Sequence, residues 1–346
     1  MLRAIELRDF RCYGYQLFSL GERGAAWVGP NASGKTSALE AIQKLALLRG
    51  FGKEEEMLRW GATAYRLRAR LVEGVVELVY EKGKGTRLLW EGEPIQPLAR
   101  WIGRLPVVSL RPADISWIEG AAAERRRWAD RLLSQISPAY LEALSRYQRA
   151  LDQRNALLQM ETVPLAQLEL WDAILIAEGP RIQTMRLTLV EALSPVLVEF
   201  YSRFGDEKIK LSYRLSVDPQ AEAWRRSWQR LHPQEQRLRR TLIGPHVEDF
   251  VLELEGRPAR GYASEGQKKS LLIALKWAEV AHLHQGGRPP ILLLDDIGEK
   301  LDHNRLTAVG QLSRLATQTF LTDTDERRVR DTFPEVELIH TPVHAK

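Results

Sequence analysis

The segment GPNASGKTSALEAI, residues 29–42, carries the strongest structural signal in this chain. Gly29 and Gly34 bound the pattern G-x-x-x-x-G-K-[ST], which Lys35 and Thr36 complete. The apolar run 25–28 before it is typical of a buried strand, and apolar residues recur at helical spacing after it. Strand, loop and helix in this order predict a phosphate-binding loop within an α/β fold.

The loop also predicts how a nucleotide is held. The glycines let backbone N–H groups approach the α and β phosphates, and the helix N-terminus adds the positive end of its dipole. Lys35 is expected to reach the β and γ phosphates, and the Thr36 hydroxyl to bind Mg²⁺. The predicted nucleotide-binding residues are Gly29, Pro30, Asn31, Ala32, Ser33, Gly34, Lys35, Thr36 and Ser37.

An acidic pair ends the segment ILLLDD, residues 291–296. Four large aliphatic residues predict an interior strand, and ligand groups in open α/β sheets lie at the carboxyl ends of strands. We therefore predict that Asp295 binds Mg²⁺ and that Asp296 orients or deprotonates the attacking water. A purely structural acid is the alternative, which a phosphate-binding loop in the same chain makes less favoured. The predicted catalytic residues are Lys35, Asp295 and Asp296.

A second anion-binding helix terminus is predicted at SEGQKKS, residues 264–270. Ser264 and Gly266 precede a helix predicted over 270–283. One ATP molecule cannot easily use two such termini from one subunit. The segment therefore indicates that a second subunit completes the site.

The remaining patterns predict two lobes. Residues 65–95 alternate between apolar and polar with glycine turns, which indicates an antiparallel meander. A helix is predicted from Pro138 to about Met160. Pro164 is expected to interrupt the chain, and a second long helix is predicted after it to about Leu193, where Pro195 is expected to end it. We predict one α/β lobe from 1–112 and 241–346, and a largely helical insertion, 113–240.

Composition limits the class of protein. No apolar run approaches the roughly 20 residues that span a bilayer, and Cys12 is the single cysteine, so no internal disulfide or thiolate zinc site forms. These features predict a cytoplasmic protein without membrane contact. His246 has no matching nucleophile pattern, so a structural role is predicted for it.

Basic residues are concentrated in two places in this chain of net charge +5. Residues 224–240 carry six arginines against Glu235 alone, and 125–127 carry three more. Solvated helix faces usually mix both signs, so these clusters favour contact with phosphate backbones over a merely solvated face. The candidate DNA-binding residues are Arg225, Arg226, Arg230, Arg237 and Arg240, with Arg125, Arg126 and Arg127 next.

The motif order resembles that of ABC-type ATPases: phosphate loop, S-x-G-Q, LLLDD and then Leu301-Asp302. The segments LRDFRCY, ERRRWADRLL, TLIGPHVEDF and ASEGQKKSLLIALKWAE narrow the resemblance, over nearly the whole chain, to the SMC-like branch and the RecF recombination mediators. This implies an ABC-type ATPase head, a mixed sheet with an antiparallel β subdomain, plus a helical inserted lobe.

The resemblance also implies roles. ATP would lie between the phosphate loop of one subunit and Ser264, Gly266 and Gln267 of the other. Arg11 would face the nucleotide phosphates, and Asp302 would face the dimer seam. It implies an ATP-dependent homodimer with ATP and Mg²⁺ as cofactors that binds duplex DNA or single-strand/double-strand junctions, engages RecR and helps to load RecA.

Several positions depart from the family pattern. Ala32 stands where a glycine is frequent, which predicts an ordinary backbone angle there. Glu299 and Lys300 replace the Ser-Glu pair expected before Leu-Asp, and Thr322 or Asp323 replaces a switch histidine. No glutamine of a Q-loop is evident near 111–115. Asp296 is shorter than the usual glutamate, so slow hydrolysis is expected.

Two other classes of function fit the loop alone. One is the ATPase subunit of a membrane transporter, although the insertion here is larger and rich in arginine. The other is a small-substrate phosphotransferase, which has no use for the SEGQ loop.

Overall fold

The computed structural model describes residues 1–163, 165–296, 298 and 301–341. Its strands are β1 (Leu2–Phe10), β2 (Tyr13–Ser19), β3 (Gly24–Val28), β4 (Ala64–Leu71), β5 (Val75–Glu81), β6 (Gly85–Trp90), β7 (Glu93–Pro94), β8 (Val107–Leu110), β9 (Ile209–Arg214), β10 (Asp249–Leu254), β11 (Arg257–Pro258), β12 (Ile291–Leu294), β13 (Gln318–Asp323) and β14 (Glu337–His340). Its helices are α1 (Lys35–Leu47), α2 (Ser116–Glu119), α3 (Ala122–Ile136), α4 (Pro138–Leu158), α5 (Leu165–Tyr201), α6 (Ala221–Leu238), α7 (Ala259–Tyr262), α8 (Glu265–Gln285), α9 (His303–Ser313) and α10 (Glu326–Thr332). None of these helices is both long and apolar enough to cross a membrane.

The chain divides into two compact units, Met1–Ile115 with Lys269–Lys346, and Ser116–Lys268. The segment 241–268, predicted to belong to the α/β lobe, therefore lies in the second unit. The segment belongs to this unit because its strand β10 pairs with β9. The two strands are antiparallel, with Asp249 opposite Arg214 at one end and Leu254 opposite Ile209 at the other. The hydrophobic pattern of β10 identifies a strand but does not identify its neighbour.

The first unit contains two sheets and confirms the predicted mixed α/β architecture. The parallel sheet has the strand order β14-β3-β13-β12-β8, and the antiparallel sheet has the order β2-β1-β4-β5-β6-β7. Strands β3, β12 and β13 are buried along their whole length, as expected of parallel strands covered on both faces. Helix α1 contributes Leu39, Ile42 and Leu45 to the hydrophobic core that both sheets share.

The second unit consists of helices and the small sheet β11-β10-β9. Helix α5 continues through Pro180 and Pro195 to Tyr201, so the predicted break at Pro195 is wrong. A proline removes one helical hydrogen bond and strains the preceding turn. Here Leu193 and Leu197 are both fully buried on either side of Pro195, and this packing keeps the helix continuous.

A buried arginine organises the polar core of the second unit. The Arg186 guanidinium, 2% exposed, donates to the Tyr140 and Tyr213 hydroxyls, to the Pro245 carbonyl and to Asp130. Such a charge is tolerated in a core only because its donors are satisfied. The segment TLIGPHVEDF therefore includes acceptors that hold this core together.

His246 lies in the same core, which agrees with the structural role predicted for it. Its Nδ1 lies 2.7 Å from the Tyr147 hydroxyl, and its Nε2 lies 3.2 Å from the Thr241 carbonyl oxygen. A neutral imidazole satisfies both contacts by accepting at Nδ1 and donating from Nε2. Burial lowers the pKa of His246 from 6.5 to about 4.

This lowered pKa predicts a pH-dependent stability. Between pH 6.5 and about 4 the unfolded chain binds a proton that the folded chain excludes, so stability falls as the pH falls through this window. At about 1.4 kcal/mol per pKa unit the loss is at most about 3 to 4 kcal/mol. Urea unfolding at pH 7 and pH 5 measures it, and His246→Gln is expected to remove this part of the dependence. An unchanged pH dependence in that variant would contradict the assignment.

Candidate nucleotide-binding site

Packing requires glycine at both ends of the predicted phosphate loop. Gly34 precedes α1 with φ +92°, and a Cβ there would lie 2.7 Å from the Tyr13 hydroxyl oxygen and 2.8 Å from Cys12 Sγ. A Cβ on Gly29 would lie 2.4 Å from Thr341 Oγ1. The loop is therefore enclosed by the β1–β2 turn on one side and by the residue after β14 on the other.

Ala32 departs from the expectation of an ordinary backbone angle, because its φ is +65°. The chain turns here into Ser33, whose hydroxyl is fixed 2.7 Å from Thr341 Oγ1. A left-handed conformation costs a non-glycine residue about 1–2 kcal/mol. The loop thus adopts a glycine-like turn at Ala32 in spite of that cost.

The Lys35 ammonium is turned back onto its own loop. It donates to the carbonyl oxygens of Gly29 and Pro30, both at 2.7 Å, and the residue is 7% exposed. These two neutral carbonyl oxygens keep the Lys35 ammonium within the loop. Phosphate oxygens would offer charge-assisted hydrogen bonds, which are roughly twice as strong.

Three oxygen-bearing side chains meet at the carboxyl ends of β12 and β13. Asp295 Oδ1 accepts hydrogen bonds from Thr36 Oγ1 and from Thr322 Oγ1, each at 2.8 Å. The Asp296 N–H donates to Thr322 Oγ1 at 2.9 Å. A carboxylate beside a hydroxyl is the hard oxygen donor set that Mg²⁺ prefers, so Thr36 and Asp295 fit the predicted metal.

Of the two residues predicted in place of a switch histidine, Thr322 and Asp323, it is Thr322 that contacts Asp295 and Asp296. Asp323 is instead bound through both carboxylate oxygens by the Arg328 guanidinium, at 2.8 and 3.1 Å. Asp296 has a left-handed backbone with φ +50°. Non-glycine residues in this region are frequent at functional sites, where the surrounding structure enforces the conformation.

Arg11 does not point at an open site. Its guanidinium binds both carboxylate oxygens of Glu40, at 2.6 and 2.9 Å, and donates to the Glu56 carbonyl at 2.6 Å. The hydrogen bond with Glu40 raises the pKa of Arg11 further. Contact between Arg11 and a nucleotide therefore stays a prediction and requires that this ion pair be exchanged for phosphate.

The predicted signature residues form a reciprocal cap on α8. The Ser264 N–H donates to Gln267 Oε1 at 2.8 Å, and the Gln267 N–H donates to Ser264 Oγ at 3.3 Å. The Gln267 amide also donates to Glu207 Oε1 at 2.6 Å. The helix begins at Glu265 rather than at 270, because this cap starts it earlier, and Gly266 lies in its first turn.

Asp302 caps α9 by accepting from the Arg305 N–H at 3.0 Å, and it forms an ion pair with the Arg305 guanidinium. The Arg305 Nε donates to Ser270 Oγ at 3.0 Å. Glu299 and Lys300, the predicted departure before this residue, lie outside the described residues.

The two basic clusters differ in exposure. All the candidate arginines of 225–240 are exposed. Arg125 is instead buried and bound by Asp249 at 2.7 and 2.9 Å, and Arg126 donates to the Glu248 carbonyl at 2.7 Å. Only Arg127 of that triplet is exposed, and it pairs with Glu124.

Comparison with known proteins gives consistent results, although no protein-family model matches the chain. The DNA replication and repair protein RecF of Heliobacterium modesticaldum is 36% identical over 93% of this chain and 92% of its own length. RecF of Synechococcus sp. strain JA-3-3Ab is 35% identical over 93% and 91%.

Solved structures agree in fold. The solved structure of the recombination mediator protein RecF-ATP in the RecFOR pathway matches with a TM-score of 0.88 at 28% identity, over 94% of this chain and 92% of that chain. An Smc head from Pyrococcus furiosus matches with a TM-score of 0.56 at 14% identity, over 98% and 92%, and supports the fold alone. With its SMC-like ABC ATPase head, the chain belongs to the RecF family of DNA replication and repair proteins.

Proposed function

We propose that the chain is an ATPase of DNA repair that binds ATP with Mg²⁺, closes into a homodimer on DNA and reopens after slow hydrolysis. The observation that carries the proposal is the hydrogen bond between Thr36 and Asp295 at the start of α1 and the end of β12. It brings the phosphate loop and the acidic strand end together. Two solved structures of similar fold are described as RecF-ATP and RecF-ATPrS, which supports ATP as the ligand here.

In this proposal each residue of the nucleotide site has a distinct chemical role. Lys35 exchanges the Gly29 and Pro30 carbonyls for the β and γ phosphates. Thr36 and Asp295 would hold Mg²⁺, which when bound would supply positive charge against the phosphates. Asp296 orients the attacking water and accepts its proton. Since Asp296 is one methylene shorter than a glutamate, slow turnover is expected. Mg²⁺-dependent ATP hydrolysis, lost in EDTA, tests this assignment, and turnover without Mg²⁺ would contradict it.

The helix cap at Ser264 supports a site shared between two chains. Ser264 and Gln267 satisfy each other in the free chain and leave the amino end of α8 oriented for an anion. In the dimer, the γ-phosphate on the partner subunit's Lys35 would take this place. Asp302 at the start of α9 would face the dimer seam.

Helix α6 is the proposed contact for duplex DNA. Trp224 and Trp228, 0% and 5% exposed, anchor one side of it. Arg226, Arg230 and Arg237 are separated by four and seven residues, so they lie within about 40° of one another on the opposite side. We call these three residues the α6 stripe. Arg239, at φ +53°, and Arg240 follow the helix end and lie outside the stripe.

The α6 stripe makes a quantitative prediction. Each phosphate contact contributes about 0.9 to the slope of log K against log salt, so alanine at all three positions is expected to lower the slope by about 2.7. The single variants are expected to lower it by about 0.9 each and to weaken every duplex sequence alike. Salt titrations of ATP-bound protein on one duplex measure this.

Arg149→Ala is the matched control, because Arg149 is an exposed arginine on α4 of the same unit. It is expected to leave the slope unchanged. If the triple variant keeps the wild-type slope, duplex DNA is bound elsewhere.

Family membership favours this function over the transporter subunit and the small-substrate phosphotransferase. Preference for gapped junctions, engagement of RecR, assistance to RecA loading and a cytoplasmic location complete the proposal and rest on the relatives' described role in repair. Pull-down of RecR by the ATP-bound chain tests the partner, and its absence would contradict that part.

A further inference from the structure

Trp60 is fully exposed, at 100% relative accessibility. Other tryptophans of this chain, such as Trp27, Trp101 and Trp128, are at most 2% exposed. An indole combines a large apolar surface with a polar N–H group, which is why tryptophan is enriched at interaction surfaces. Trp60 therefore marks a surface that needs an explanation.

The turn that carries Trp60 is fixed in place. The Arg59 N–H donates to the Asp9 carbonyl at 2.9 Å, and the Arg59 guanidinium pairs with the Asp9 carboxylate at 3.5 Å. Leu58 forms an antiparallel bridge with Phe10. The indole is thus presented at the end of β1 by an ordered turn.

Beside this turn, the solvent-facing side of the antiparallel sheet carries a row of arginines. Arg8 on β1 lies opposite Tyr15 on one side and Arg66 of β4 on the other, and Arg68 and Arg70 follow at two-residue steps on β4. Alternate residues of β4 are buried, so these arginines share the outer face. With Arg87 of β6 they form what we call the arginine face: Arg8, Arg66, Arg68, Arg70 and Arg87.

The arginine face has an excess of positive charge. Glu6 and Glu77 lie on the same side, and both pair with Arg66, at 3.2 and 3.9 Å. Glu81 at the end of β5 is paired with Lys84. Five arginines against Glu6 and Glu77 leave a net charge of +3 on this face, which favours binding of a polyanion.

Aromatic side chains accompany this charge. Tyr15 is 58% exposed, and the Arg8 guanidinium lies 5.6 Å from its ring centroid. The Arg59 guanidinium lies beside Gly14, because a Cβ placed on Gly14 would be 3.1 Å from Arg59 Nη1. Arg59 directly precedes Trp60, and Gly14 directly precedes Tyr15. Trp60 and Tyr15 therefore occupy the same end of the sheet.

Basic surfaces with exposed rings are typical of single-stranded nucleic-acid binding, because unpaired bases stack on rings while arginines hold phosphates. In a duplex the base faces are covered by their neighbours. We propose that Trp60, Tyr15 and the arginine face bind single-stranded DNA. This inference rests on the proposed recognition of junctions and gives the single strand a site separate from the α6 stripe.

The test measures anisotropy of a labelled oligo-dT of about 30 nucleotides and of a labelled duplex of matched length, with full-length protein. Stacking of a base is worth about 1–3 kcal/mol, so Trp60→Ala is expected to weaken oligo-dT binding about tenfold and leave duplex binding unchanged. Trp60→Phe is expected to restore most of the affinity. The double variant Arg68→Ala/Arg70→Ala is expected to lower the oligo-dT salt slope by about 1.4.

The control is Arg327→Ala/Arg330→Ala, two exposed arginines on α10 of the same unit. It is expected to leave oligo-dT binding unchanged. Wild-type oligo-dT affinity in both Trp60→Ala and the Arg68/Arg70 variant would overturn the proposal, as would equal losses for oligo-dT and duplex. Unchanged duplex binding in the α6 stripe variants would instead contradict the proposed duplex contact, and would leave the single-strand site standing.

Discussion

Lys35→Ala is expected to lower ATP affinity by at least about a hundredfold. Lys35 is the charged donor of the loop, and hydrogen bonds between charged groups contribute about 1.5–3 kcal/mol each. Loss of two contacts to phosphates therefore costs about 3 kcal/mol or more, and each 1.4 kcal/mol is a factor of ten. Fluorescence titration with a labelled ATP analogue measures the change.

Lys84→Ala is a suitable control for this variant, since Lys84 is an exposed lysine in the turn between β5 and β6. It is expected to bind ATP as the wild type does. Wild-type affinity in Lys35→Ala would remove the nucleotide site from this loop.

Ser264→Arg is expected to abolish ATP-dependent dimerisation while ATP binding by the single chain is retained. The substitution puts a bulky cation in place of a small hydroxyl at the start of α8, where the partner's nucleotide is proposed to lie. Light scattering with ATP measures the mass, and nucleotide titration measures the binding. Dimer formation at the wild-type ATP concentration would contradict the role of Ser264.

Two further samples separate this effect from misfolding. Ser145→Arg changes an exposed serine on α4 of the same unit and is expected to dimerise normally. A mixture of Ser264→Arg with Lys35→Ala subunits keeps one intact shared site per dimer and is expected to recover part of the dimer.

Local sequence patterns predict much of the site because its chemistry lies in short segments. The loop before α1, the buried strand β12 and its terminal acids all follow from spacing and hydrophobicity. These same patterns predict the meander from β4 to β7, where consecutive strands pair. Adjacent segments in the sequence are then neighbours in space.

Contacts between distant segments could not be predicted in this way. Thr341 closes the loop at Gly29 and Ser33 although it lies more than 300 residues away. The pairing of β10 with β9 moves 241–268 to the second unit. The ion pair of Arg11 with Glu40 and the left-handed Ala32 likewise depend on packing that residue types do not encode locally.

Sedimentation of the wild-type chain with Mg²⁺ and a slowly hydrolysed ATP analogue tests the proposed two-chain site most directly. The chain has a mass of 39.5 kDa, and saturation with nucleotide is expected to shift it to twice that value, with the shift absent in Ser264→Arg. A chain that is saturated with nucleotide and still sediments as a species of 39.5 kDa, or that binds gapped DNA with one chain per DNA molecule, would contradict the account.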